Sequence, residues 1–237
     1  MAVNRYFANT YLAEMVDISA GEVVDVHKID KFGYNSAVGN SYETIWDGNN
    51  LYTYIETAGT ATVTSSNTSA DNGSTVEVQG LDANYDQVSE TLTVGGSAST
   101  VEFYRVYRAS VVTPNTGTAN VGTITVTVDS KSAAIISPDQ GQTLMCVYTI
   151  PRRYTGYLIQ LDVGSSKDVE NTIRVVVRNG SSQAFNVKSF LSKRGGFSEK
   201  NFRIPVEIPQ KNDIEVQALA SATSSISAGF ELILCRK

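Results

Sequence analysis

The chain is poor in the residues that carry most enzyme chemistry. It has one histidine, His27, and two cysteines, Cys146 and Cys235, which lie 89 positions apart. A hydrolytic triad needs an imidazole or a substitute base beside a nucleophile. His27 instead stands next to Lys28 on a short strand-like run, with no Gly-x-Ser-x-Gly elsewhere, and reads as a surface or packing residue. A zinc centre needs three or four His, Cys or carboxylate ligands at suitable spacing, which this inventory does not offer. The phosphate-cradling Gly-x-x-x-x-Gly-Lys and the dinucleotide fingerprint are both missing. A glycosidase pair of carboxylates is set by folding rather than spacing, and no pair stands out. The expectation is a non-enzymatic protein with no catalytic residues, no metal ligands and no cofactor.

Charge is scarce as well. Asp, Glu, Lys and Arg make up 18% of the residues, against the usual quarter. The net charge of −5 and a pI near 5.0 leave no clustered basic surface of the kind nucleic acid requires. Arg152-Arg153, Lys193-Arg194 and Arg236-Lys237 are the adjacent basic pairs, and they read as solvated turns and a tail. No run approaches the ~20 apolar residues of a membrane helix, and residues 1–20 hold no apolar core of about 7 residues, so neither a span nor a secretory signal is expected. Without a signal, Cys146 and Cys235 read as reduced, buried thiols.

What the chain does have is alternation. In Gly122-Thr-Ile-Thr-Val-Thr-Val128 the apolar residues Ile124, Val126 and Val128 alternate with threonines, which gives a strand one apolar face and one hydroxyl face. Ser74–Gln79, Gln87–Val94 and Thr100–Tyr107 read as strands before it, and Ala61–Ser65 as the first of the group. Beyond a connector at 131–143, carrying Pro138-Asp-Gln-Gly141, the candidate strands are Met145–Ile150, Gly156–Val163, Thr172–Arg178, Ala184–Leu191, Phe202–Ile208, Ile214–Ala220 and Ser227–Cys235. Pro205 and Pro209 lack the N–H of a central ladder, which places Phe202–Ile208 at a sheet edge. Strands with one apolar face need a second layer. The expected fold is therefore all-β: an N-terminal arm and small aromatic hairpin over 1–56, a first β-sandwich over 57–130, the connector, and a second sandwich or jelly roll over 144–237. No helix longer than two turns is expected.

Three stretches are candidates for contact or chemistry. Residues 1–20 hold Tyr6, Phe7, Tyr11, Leu12, Met15 and Val16 without clean helical or strand spacing. Such a segment packs on its own domain or reaches onto a neighbour. Tyr42 to Tyr54 brings Tyr42, Trp46, Tyr52 and Tyr54 together around an Asp47-Gly48 turn signal. Its rings could stack a sugar, plug the end of a sandwich or fill an intersubunit groove. The interface candidates are Tyr6, Phe7, Tyr11, Leu12, Met15, Trp46, Tyr52 and Tyr54. Asp82-Ala-Asn-Tyr-Asp86 copies the opening of a calcium loop, but Gln87 and Thr93 stand where Gly and Glu belong, so it reads as a turn. Asn67-Thr-Ser69, Asn72-Gly-Ser74 and Asn179-Gly-Ser181 match the glycosylation acceptor pattern and read as loops and turns.

Several phrases taken together carry a resemblance. They are Val26-His-Lys28 with Phe32-Gly33, Thr44-Ile-Trp-Asp-Gly48 with Leu51-Tyr52, and Val78 to Thr93 (VQGLDANYDQVSETLT). Tyr148-Thr-Ile-Pro151 with Thr155-Gly-Tyr-Leu158, Ile208-Pro209 with Asp213-Ile-Glu-Val216, and Ser227 to Leu234 complete the set. In this order, over roughly residues 23–234, the chain resembles virion structural proteins of tailed bacteriophages, especially those of marine and cyanobacterial hosts. Arg152-Arg153 follows Pro151 where that pattern has a smaller, Gly-containing turn. The resemblance implies a non-enzymatic component of the head, neck or tail, assembled in the host cytoplasm. Its implied partners are other copies of itself, as a trimer or ring, and capsid, portal, neck or tail proteins. The alternative from another class is a module that binds host-surface carbohydrate or a receptor, with Trp46 and the nearby tyrosines as platform.

Overall fold

The computed structural model describes residues 10–180 and 184–237. Helix α1 spans Thr10–Ser19 and lies against β1, Val26–Val38. The first half then runs through β2 Glu43–Thr44, β3 Gly59–Thr60, β4 Thr62–Ser65, the single-turn α2 Thr68–Asp71, β5 Thr75–Leu81, β6 Gln87–Thr93, β7 Glu102–Phe103, β8 Arg105–Thr113, β9 Ile124–Val128 and β10 Lys131–Ile136. The second half holds β11 Val147–Thr149, β12 Tyr154–Asn179, β13 Phe185–Ile208, β14 Asn212–Ala220 and β15 Ser224–Arg236. The fold is all-β, as the alternation requires.

Two apolar cores organise it. One forms between the β10–β9–β4 and β6–β5–β8 sheets, where Ile124, Val126 and Val128 meet Val76, Val78 and Leu92. The hydroxyl face of β9 turns outward while its valines are buried, the outcome that period-two alternation dictates. The other core belongs to a seven-stranded sheet of order β1–β15–β12–β14–β11, with β13 on β12 and β2 on β14. That sheet folds over on itself through the β12–β13 ribbon. The first part of β12 pairs β15, from Tyr154 to Ser165, and its second part pairs β14, from Asn171 to Asn179. The apolar faces of β14 and β15, Ile214, Val216 and Ala218 against Phe230, Leu232 and Leu234, close on each other.

Several expected elements come out differently. The four strands expected within 156–208 are two, because each runs on through the corner. The corner is made where Ser166 to Val169 stand opposite Gly195, between the pairs Ser165↔Gly196 and Glu170↔Arg194. Gly195 and Gly196 have φ of +52° and +65° there, a region that costs a residue with a Cβ but not glycine. Lys131–Ile136, expected as connector, is a strand paired with β9. The strand-like run around His27, assigned to the arm, is the start of β1, which runs on to Val38 as an edge strand of the larger sheet paired with β15. No hairpin forms over 42–54, because β2 bonds to β14 and Trp46 bridges to Met145, so the arms do not pair as strands. The ten-residue α1 corrects the expectation of no helix beyond two turns. Leu12, Met15 and Val16 are spaced i, i+3, i+4, which a helix can bring to one side, and Gly21 at φ +75° ends it. Cys146 is buried, but Cys235 is only half-buried, since the alternation that buries Leu232 and Leu234 turns it the other way; both are free thiols. The Asp82 turn forms as read, with its Oδ1 accepting the N–H groups of Asn84 and Asp86 at 2.8 and 2.9 Å.

The two cores are joined by a buried ion pair. Arg105 of β8 donates through Nε and Nη2 to the two carboxylate oxygens of Asp213 of β14, at 2.8 and 3.1 Å. Its Nη1 donates to the Ile55 and Tyr104 carbonyls, and Thr149 Oγ1 donates to Asp213 Oδ1. Each charge is thus paired and hydrogen-bonded, the condition for burying it. Removing one partner leaves the other stranded. Asp213→Asn is expected to lower the stability measured by urea unfolding by about 3–5 kcal/mol. Arg105→Met with Asp213→Leu is expected to recover much of that loss, because no charge is then left without a partner.

Candidate interaction surface

β14 reads apolar-polar-apolar, yet both its faces are buried. Ile214, Val216 and Ala218 fill the larger sheet's own core, while Asp213, Glu215 and Gln217 face the other way, under the first core. Directly opposed residues of antiparallel strands share a face. The register therefore makes three rows across β13, β12 and β14: Phe185–Arg178–Asp213, Val187–Val176–Glu215 and Phe190–Arg174–Gln217. At the β14 end these rows are covered by Arg105, Tyr54 and Thr44. At the β13 end they emerge into solvent, where Phe185, Val187 and Phe190 are 47%, 46% and 58% exposed.

β13 pairs with β12 and, among the described residues, with nothing on its outer edge. It is the edge strand that Pro205 and Pro209 foretold. Pro205 sits in a bulge between Asn201↔Gln160 and Val206↔Leu158, together with Ile204, which is 85% exposed; Phe197, beside the glycine corner, is 69% exposed. A 24-residue edge offers unpaired N–H and C=O groups to another chain, and this one adds large apolar side chains.

The covered end of the rows is a polar seam. Thr44 Oγ1 accepts the Tyr52 N–H at 2.9 Å and donates to Glu215 Oε2 at 3.0 Å, and the Gln217 amide donates to Glu215 Oε1. Burial lifts the Glu215 carboxyl to about 7, the two hydrogen bonds pulling it part of the way back and the nearby Asp213 charge adding to the rise. Burial is the largest single influence on Arg105 and acts downward, but Asp213, by hydrogen bond and by charge, carries the guanidinium above its ordinary value. Tyr54 is held well above the usual phenol range, first by burial and then by the Glu215 and Asp213 charges. Its ring lies 5.2 Å from the Arg105 guanidinium and 4.5 Å from that of Arg178.

The expected interface residues fall in different places. Trp46, Tyr52 and Tyr54 are 3%, 7% and 5% exposed, packed edge to face in the first core. They plug their own chain; as partner-facing or sugar-stacking rings they are corrected, because the covering β-layers leave no ring face in solvent. Trp46 Nε1 donates to the Asn50 carbonyl and the Tyr52 hydroxyl to the Ala133 carbonyl, which satisfies both polar ends internally. Met15 is half-buried on α1 and Val16 is 42% exposed. Tyr11 and Leu12 belong to the same helix. Tyr6 and Phe7 lie outside the described residues. His27 is exposed on β1 with its ring against Tyr154.

No family model and no curated protein matches the chain. Among solved structures it is similar to infectious bursal disease virus, Gx strain, at 10% identity and a TM-score of 0.28, over 89% of this chain and 72% of that one. A subviral particle of infectious bursal disease virus VP2 scores 0.24 at 10% identity, over 90% and 72% of the two chains. A bacterial lipoprotein from Bacteroides thetaiotaomicron scores 0.17 at 9% identity, over 91% and 97%. Scores of this size carry no argument about function. No helix among the described residues is long and apolar enough to cross a membrane.

The sequence reading found β13 as two strands, Ala184–Leu191 and Phe202–Ile208, but not that they are one continuous edge or that its apolar side chains stay exposed. The signal for continuity was there in Phe185, Val187, Phe190, Phe197 and Phe202, large apolar residues interspersed with Ser, Lys, Asn and Glu and with no proline between them.

Glu215 gives the seam a pH signature. Its carboxyl is raised in the folded protein, so between the ordinary value of 4.5 and about 7 the folded state holds more protons than the unfolded one. Stability then falls as pH rises through that window and stays low above it. Glu215→Gln keeps an amide between Thr44 and Gln217 without the charge. It is expected to flatten the pH 5–7 slope of the melting temperature and to stabilise the protein at pH 8 by a few kcal/mol.

Proposed function

We propose that the protein is a non-enzymatic structural component of a tailed-bacteriophage virion, assembled in several copies on the capsid, neck or tail. The observation that carries the assembly reading is β13: a long edge strand, unpaired on one side among the described residues, with Phe185, Val187, Phe190, Phe197 and Ile204 turned to solvent. Exposed apolar edges are a liability on a free monomer and are useful to a subunit. The low charge, the all-β architecture and the resemblance of the Val78–Thr93 and Ser227–Leu234 phrases support the virion setting. A homo-oligomer, trimer or larger ring, fits best, since one patch repeated by closed rotation serves every subunit. Capsid, portal, neck or tail proteins are the partners beyond it, and the host cytoplasm is where assembly takes place. Residues 1–20, with Met15 and Val16 on α1 beside the edge strand β1, supply a second contact.

Light scattering on the purified chain tests this. The wild type is expected to give the mass of a trimer or higher, and the pair Phe190→Glu with Phe197→Glu to give a folded monomer of 25.6 kDa. A wild type that stays monomeric at every concentration, or a double variant with unchanged oligomer mass, contradicts the proposal.

A further inference from the structure

A cleft of about 340 Å3 lies where the two cores meet, between β1 and β11 on one side and the β6–β5–β8 sheet on the other. Its polar groups are mostly donors, and several have no acceptor. Lys31, 5% exposed, points inward from β1 and donates to the Tyr107 carbonyl; its remaining protons have no acceptor among the described residues. Arg108, half-buried on β8, lines the same cleft with neither a hydrogen bond nor an ion pair to its guanidinium among the described residues. The Tyr148 hydroxyl is buried in the same cleft with the Gln87 side chain beside it, and its ring lies 5.0 Å from that of Tyr107. Gln79, Gln87, Ile29 and the exposed Asp30, the one carboxylate of the lining, complete the wall with Lys28. Buried polar groups are nearly always satisfied, and this cleft leaves two cationic side chains and a phenol facing one space.

We propose that the cleft binds a small organic anion through a carboxylate or phosphate group held by Arg108, Lys31 and Tyr148. An oxyanion accepts from all three, and the planar guanidinium suits the two oxygens of such a group. The volume is within the range of small-molecule sites. The charges agree. Burial first, and then repulsion from Arg108, bring the Lys31 ammonium down to about 7, with Cys146 and Asp30 acting the other way. An anion between Lys31 and Arg108 relieves that repulsion. On the rim, Lys28 is already paired with Glu231 at 2.9 Å, so the inward pair, not the rim, supplies the binding charge. This site does not depend on the assembly reading, because its residues are remote in sequence from β13.

Isothermal titration of the full chain with glucuronate and with glucose 6-phosphate, against neutral glucose, tests it. At least one anion is expected to bind saturably and glucose not at all. Arg108→Gln and Tyr148→Phe, each checked for fold by circular dichroism, are expected to weaken binding by about tenfold or more. Raising salt to about 1 M, where charges are screened beyond about 3 Å, is expected to weaken the wild type with no variant needed. Failure of both anions to bind, equal binding of glucose, or affinity unchanged by salt and by both variants overturns the proposal.

Discussion

The Arg105–Asp213 pair sets the terms for the rest of the molecule. It lies where two apolar cores meet, and neither charge can be accommodated there without the other. Arg105 is held from its own side by the Ile55 and Tyr104 carbonyls and Asp213 by Thr149, so the pair ties loop, β8, β11 and β14 to a single geometry. Around it, Thr44, Glu215 and Gln217 form a hydrogen-bonded layer that leaves little freedom in how the first core sits on the larger sheet. A dry apolar contact would tolerate sliding; this one specifies a register.

That register decides what is left exposed. The three rows that begin at Asp213, Glu215 and Gln217 are roofed only as far as β12, and β13 extends past the cover with its phenylalanines uncovered. The glycine corner lets the same strand turn with the fold instead of stopping, so the edge is one long rail rather than two short ones. The polar seam and the apolar rail are two ends of the same sheet face. The first is covered within the chain, and the second is left exposed.

Much of the fold was legible because the strands of both cores announce themselves by alternation, as in Ile124-Thr-Val-Thr-Val128, and by the proline that marks an edge. What was not legible has a common physical cause. Period-two alternation says that one face is polar, but not whether water or a second layer meets it. The alternation through Asp213, Glu215 and Gln217 gave no sign that they are buried, and of the roles open to Trp46, Tyr52 and Tyr54 only their burial in their own chain's core is seen. The β12 and β13 segments read as four strands because bulged and glycine-bearing stretches look like loops until their register is known. The interface candidates of the arm divide likewise: α1 was hidden by an i, i+3, i+4 pattern too short to stand out.

The central claim is that β13 is the rail on which copies of this chain meet. Hydrogen–deuterium exchange over residues 185–208, followed as the protein is concentrated from monomer into assembly, tests it most directly. Slowed exchange along β13 in the assembled form, with the seam strands β12 and β14 protected in both states, is the result the account predicts. An exchange profile of 185–208 that is identical in both states, while protection rises in some other segment, would contradict it.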